Sequence, residues 1–279
     1  HGQIVGNTHT QGGGTGPNIG YYMSGLETQP VLLPPLAGGD TCQAFDINDD
    51  QVIVGKSARL GEPSVAVVWR TGVDASGNLF IDGPVPLFPF GGDSTSSALN
   101  INDPLIGPIQ IVGYSQGSVS TPVVWSIELN SHGTLSSPSA PVEIGAYDAA
   151  RGIANAVNAF GDICGEYDGL PFVIGFDGSS LEMSFPRNTQ WGWASDINDL
   201  GETVGELDVQ KITRNGTYWP APRAHLWRAD GKTVDLETLI DGASGWDQLW
   251  GASRINNSGV ISGRGRFGTH NLAFIMTPN

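Results

Sequence analysis

The chain has 279 residues, 40 of them Gly and 18 Pro, and a formal charge of −15 with only three Lys. So acidic a surface repels phosphate backbones and argues against nucleic-acid binding. No apolar run is long enough to span a bilayer as a helix, and no useful stretch shows helical periodicity.

In chain order, the sequence opens on His1-Gly2-Gln3-Ile4-Val5-Gly6, the tail of a twelve-residue pattern, A-x-x-I/V-N-x-x-G-x-I/V-x-G. A strand over 19–23 and an apolar segment over 30–33 follow. The first full copy begins at Ala44, with Gln51 where Gly is expected. The next strands cover 65–69 and 85–88. A second copy begins at Ala98 and is stretched by an insertion before Gly113. Strands over 122–125 and 142–144 come next. Clean copies begin at Ala154, Ala194 and Ala252. They are followed by strands over 172–176 and 181–185, over 224–227 and 234–239, and over 273–276.

The pattern reads as a hairpin. Two apolar runs flank a four-residue turn, with Asn bonding nearby backbone amides and Gly supplying a positive φ. The structural turn residues are Asn48, Asn102, Asn158, Gly161, Asn198, Gly201, Asn256 and Gly259. Gln51 predicts a strained or differently built turn at Asn48. Start-to-start spacings of 54, 56, 40 and 58 residues suit four-stranded units. Residues 1–279 are therefore expected to form one all-β domain, a β-propeller of four-stranded antiparallel blades. Six blades are expected, with five as the alternative.

Leu36-Ala37-Gly38-Gly39-Asp40-Thr41-Cys42-Gln43-Ala44-Phe45-Asp46-Ile47-Asn48 and Ala224-His225-Leu226-Trp227 resemble the extracellular HAF repeat. That repeat is named for a His-Ala-Phe triplet in its third strand. Asn271-Leu272-Ala273-Phe274 comes closest to the triplet here. The stretch from Asp235-Leu236-Glu237 to Thr277-Pro278 looks like such a family's terminal repeat. The resemblance covers nearly the whole chain. It implies a secreted or surface-displayed bacterial protein and carries over no catalytic residues.

The sequence holds no Gly-x-Ser-x-Gly elbow and no His-Glu-x-x-His helix. Glu166, Asp168, Asp177 and Glu182 are available for glycoside chemistry, but solvated surface charge accounts for them. His1 lacks the partner histidine that an N-terminal copper site needs. Asp46, Asn48 and Asp50 are the candidate Ca2+ ligands, although the usual order of a calcium loop is absent and turn chemistry accounts for them. Cys42 and Cys164 are read as buried free thiols. Of two sequons, Asn256 is a turn residue, which leaves Asn215 as the acceptor.

Trp69, Trp125 and Trp227 share one repeat position and are assigned to packing. Trp191, Trp193, Trp246 and Trp250 fall outside that position, in segments read as loops leading into the last two hairpins. With Trp219 they are the candidate binding residues for carbohydrate or a partner chain.

The expected role is a non-catalytic structural or adhesive protein outside the cell. A lectin-like binder and a polysaccharide hydrolase or lyase are the alternatives. The expected partners are polysaccharide or further copies of the chain. The first unit lacks a leading strand and the last lacks a fourth, which predicts upstream residues or strand addition at the termini.

Overall fold

The structure is a computed structural model. It describes residues 2–9, 16–59, 61–145, 151–212, 218–219 and 221–278. The chain divides into two compact units, His1–Ala154 and Asn155–Asn279. In the first unit, β1 (Ile4–His9), β2 (Asn18–Met23) and β3 (Val31–Leu32) form a three-stranded sheet. β4 (Thr41–Ile47), β5 (Val52–Ala58), β6 (Val65–Val73) and β7 (Leu79–Leu87) form a four-stranded one. So do β8 (Thr95–Ile101), β9 (Ile109–Gln116), β10 (Ser120–Ile127) and β11 (Val142–Glu143).

The division of the chain falls inside β12 (Gly152–Val157), which is in a sheet with β13 (Ile163–Tyr167) and β14 (Leu170–Ile174). Next come β15 (Thr189–Ile197), β16 (Thr203–Val209) and a small ribbon, β17 (Lys211–Ile212) with β18 (Tyr218–Trp219). The chain then returns as β19 (Pro222–Trp227) and β20 (Thr233–Asp235), completing the sheet β15-β16-β19-β20. β21 (Trp246–Ile255), β22 (Ile261–Phe267) and β23 (His270–Met276) form the last sheet. The fold is thus all-β, with six antiparallel sheets of three or four strands among the described residues.

Alternation along the strands explains how sheets share cores within each unit. On β5, Ile53 packs with Ile19, Tyr22 and Leu33 of the sheet before, while Val52 and Val54 pack with Ile109, Ile111 and Val123 of the sheet after. The sheet in the middle is apolar on both faces, so its strands read as near-continuous Val and Ile. The second unit repeats this. Leu207 and Trp227 join Cys164 and Val173 on one face, while Val204 and Leu226 join Leu249 and Phe274 on the other.

The repeat pattern forms the first hairpin of these sheets. In the Asn198 turn, the Gly201 N–H donates to the Asn198 carbonyl at 3.1 Å, and Gly201 has φ +74°. Gln51 takes the same place with φ +63° and makes the same bond, Gln51 N–H to Asn48 carbonyl at 3.0 Å. The turn at Asn48 is therefore built like the others, with Gln held in the left-handed region. Insertion of residues 104–108 lengthens the second loop but leaves its Asn bonds in place: the Gln110 N–H donates to Asn102 Oδ1 at 2.8 Å. Gly201→Val should cost more than about 1 kcal/mol, because a β-branched residue is strained at positive φ. Urea titration of the two proteins checks this.

The pattern's last Gly has a separate cause. It pairs with the pattern's first Ala at Ala44↔Gly55, Ala98↔Gly113, Ala194↔Gly205 and Ala252↔Gly263, each beside a β-bulge. The bulge pushes the preceding carbonyl into the space a Cβ would fill. A side chain at Gly55, Gly113, Gly205 or Gly263 would overlap the carbonyl of Gln43, Ser97, Trp193 or Gly251 respectively.

Three expectations are corrected. Residues 181–185 form no strand. Beyond one bridge at Ser180 and a Leu181 N–H bond to the Val173 carbonyl, the segment is claimed by the next sheet, where Ser184 bonds Gly231. Residues 234–239 are strand only to Asp235; Leu236–Leu239 turn as a 3-10 helix capped by the Asp235 carboxylate. Trp191, Trp193, Trp246 and Trp250 lie on β15 and β21, not in loops. Their strands extend past the pattern at its N-terminal side.

Candidate functional site

The repeat Asn residues link neighbouring turns. Asn48 Nδ2 donates to the Asn102 carbonyl at 3.1 Å, Asn158 Nδ2 to the Asn198 carbonyl at 3.1 Å, and Asn198 Nδ2 to the Asn256 carbonyl at 3.2 Å. The next residue adds a bond of its own. Asp103, Asp199 and Asn257 side chains accept from the N–H of Asp49, Ala159 and Asp199, at 2.8 to 2.9 Å. Asp46 accepts from Asn100 Nδ2 at 2.6 Å and from the Ile101 N–H at 3.2 Å. Asp196 accepts from the Ile255 N–H at 2.8 Å, although burial pushes its carboxyl up from the ordinary value.

Two of the candidate Ca2+ ligands, Asp46 and Asn48, therefore hold the adjacent sheet, while Asp50 is exposed in the turn. Among the described residues, no group of three His, Cys, Asp or Glu side chains is placed to hold a metal ion. His1 and Asn215 lie outside the described residues. So does the side chain of Trp219, whose backbone is in β18.

The packing tryptophans behave alike. Trp69, Trp125 and Trp227 are fully buried, and each indole N–H donates to the carbonyl of the segment entering its own sheet, at Pro34, Phe88 and Ser184. Beside Trp227 lies His225, itself buried, with Nδ1 3.1 Å from the Arg223 carbonyl. Burial holds its imidazole below the ordinary value. Cys42 and Cys164 are buried free thiols, and burial raises both above the usual thiol range.

The remaining tryptophans separate. Trp246 meets Phe267 and Phe274 edge-on, at ring distances of 5.5 and 5.9 Å, and packs against the core. Trp191 and Trp193 stack on each other, with centroids 5.2 Å apart and planes 16° apart. They share a face because they are two residues apart on β15. Gly192 between them leaves room for Leu207, and its N–H donates to the Gly169 carbonyl at 2.7 Å. This sets the Asp168–Gly169 hairpin turn against Trp191. Trp191 remains 39% exposed.

Carboxylates stand next to this stack. Trp193 pairs with Glu206 across β15 and β16, and Trp191 pairs with Asp208. Both acids are buried. Asp208 accepts from the Ala221 N–H at 2.8 Å. Glu206 accepts from the Arg264 guanidinium of β22 at 2.9 Å. The arginine reaches it past Gly251 of β21, where any side chain would overlap the carboxylate. Burial pushes the Glu206 carboxyl up, Arg264 opposes that, and Asp208 adds to it. Trp250, next to Gly251, donates its indole N–H to Gln248 at 2.9 Å.

Sequence reasoning named the aromatic residues but missed Glu206, Asp208 and Arg264. A usable signal was present. The residue after each closing Gly is polar throughout: Asn7, Lys56, Tyr114, Glu166, Glu206 and Arg264. Only in the last two repeats do opposite charges follow one another and meet.

A groove of about 470 Å3 lies at the turn end of the same two sheets, lined by Leu226, Ile255, Ile261, Met276 and Arg228 among others. It contains no aromatic side chain. The tryptophan face, by contrast, sets flat aromatic surface beside two buried carboxylates. Comparison with protein-family models gives no match, and comparison with curated proteins gives none.

Proposed function

We propose that the chain is an extracellular, non-catalytic adhesive protein that binds neutral polysaccharide at the Trp191–Trp193 face. In this reading the six sheets are blades of a propeller of the HAF-repeat type. The observation that carries the binding role is the partly exposed stacked indole pair beside two buried carboxylates. An indole face binds the C–H face of a sugar ring. The carboxylates favour a binding role over catalysis, since Glu206 is occupied by Arg264 and Asp208 by the Ala221 N–H.

Calorimetric titration with neutral oligosaccharides tests this. Trp191→Ala should weaken binding about tenfold or more, the loss of one aromatic contact of roughly 1.4 kcal/mol, with melting temperature unchanged. Equal affinity in the two proteins would remove Trp191 from the site.

A further inference from the structure

The charges beside the Trp191–Trp193 face are unequally placed. The Glu206 side chain is 5% exposed, whereas its partner Arg264, at 2.9 Å, is 62% exposed. The carboxylate is hidden and the guanidinium stands at the surface. Among the described residues, the guanidinium makes this one hydrogen bond. The backbone of β21 is shaped to allow the pair, since a Cβ at Gly251 would overlap Glu206 Oε2. Trp193 and Glu206 are direct partners across β15 and β16, as are Trp191 and Asp208. Side chains so paired stand on one face, with Cβ atoms about 5 Å apart. A ring on the indoles therefore lies in the field of all three charged groups, although the buried carboxylates do not touch it.

Resting on the binding reading above, we infer that Glu206 sets the charge specificity of this face: by cancelling Arg264 it makes the indole pair take neutral sugars and reject uronic acids. Without Glu206, an exposed guanidinium would stand uncancelled beside the indoles. Guanidinium groups pair readily with carboxylates, often through two bonds, so such a face would attract a uronate. With Glu206 in place, two carboxylates accompany one guanidinium, and the sum is one negative charge. A uronate then meets net repulsion and a neutral ring meets none.

Calorimetry on the whole chain tests this with tetrasaccharide pairs that share ring and linkage: glucose with glucuronate, galactose with galacturonate, mannose with mannuronate. Wild type should bind at least one neutral member and prefer it to its uronate. Glu206→Gln keeps the shape and removes the charge. It should raise the uronate-to-neutral affinity ratio at least about fivefold, and about 1 M NaCl should abolish most of that gain. Arg264→Gln, at an exposed side chain, should lower the ratio by a similar factor. The double variant should return the ratio to the wild-type value, which repacking of the face would not do. If Glu206→Gln does not fold, the Arg264→Gln shift decides alone. A wild type that binds no neutral member overturns the binding reading and this inference with it. Neutral binding with a ratio that neither single variant moves, or that moves without dependence on salt, overturns the role of Glu206 and leaves the binding reading standing.

Discussion

Gly205→Ala should destabilise the protein by about 3 kcal/mol, a large effect for one methyl group. The position has an ordinary negative-φ strand conformation, so the loss cannot come from left-handed strain. It comes from space. The bulge between Ala194 and Asp196 drives the Trp193 carbonyl to where the new Cβ must sit. The backbone must move, and the strand that carries the tryptophan pair moves with it. Gly242→Ala is the control, since nothing lies within 4 Å of its Cβ position and its φ is not positive. That change should stay within about 0.5 kcal/mol. Urea midpoints of the three proteins decide the matter. Equal midpoints for Gly205→Ala and wild type would show that the bulge yields freely.

Asn198→Ala should cost about 3 kcal/mol, because four bonds at a buried site are lost together. Its Oδ1 accepts from the N–H of Leu200 and Glu202 at 3.0 and 2.9 Å. Its Nδ2 donates to Glu202 and to the Asn256 carbonyl at 3.0 and 3.2 Å. Asn198→Asp separates the turn from the link to the next sheet. It keeps the acceptor but turns the donor into a second carboxylate facing Glu202 and a carbonyl. At pH 7 it should be no more stable than the Ala variant. The new carboxyl is favoured neutral in the fold, so its folded pKa lies above its unfolded value near 3.9. Stability is then regained as pH falls through that raised pKa. Measured against Asn198→Ala, the Asp variant should improve between pH 7 and 4. A constant difference would mean that the link to Asn256 contributes little.

Local chemistry made the hairpins readable. Asn and Gly at fixed spacing specify a turn whatever surrounds it, and even Gln51 conformed because the Asn48 bonds were kept. The shared position of Trp69, Trp125 and Trp227 likewise marked the core. What depends on a facing strand or a neighbouring sheet was hidden. The closing Gly looked only like the end of an apolar run, yet it answers a bulge on the facing strand. The repeat Asn looked complete within its own turn, yet its amide is committed to the next one. Residues 181–185 carry a strand-like apolar pattern but are drawn off by Gly231 and Trp227. The candidate site was half readable. Four tryptophans stood out by position, but only pairing showed that Trp246 belongs to the core and that Glu206 faces Trp193.

The most direct test of the binding role is a crystal structure with a neutral oligosaccharide bound. A sugar ring should lie flat on the exposed face of Trp191. A sugar seated instead in the groove beside Leu226, Ile255 and Met276, or no sugar on the tryptophan face at saturating concentration, would contradict it.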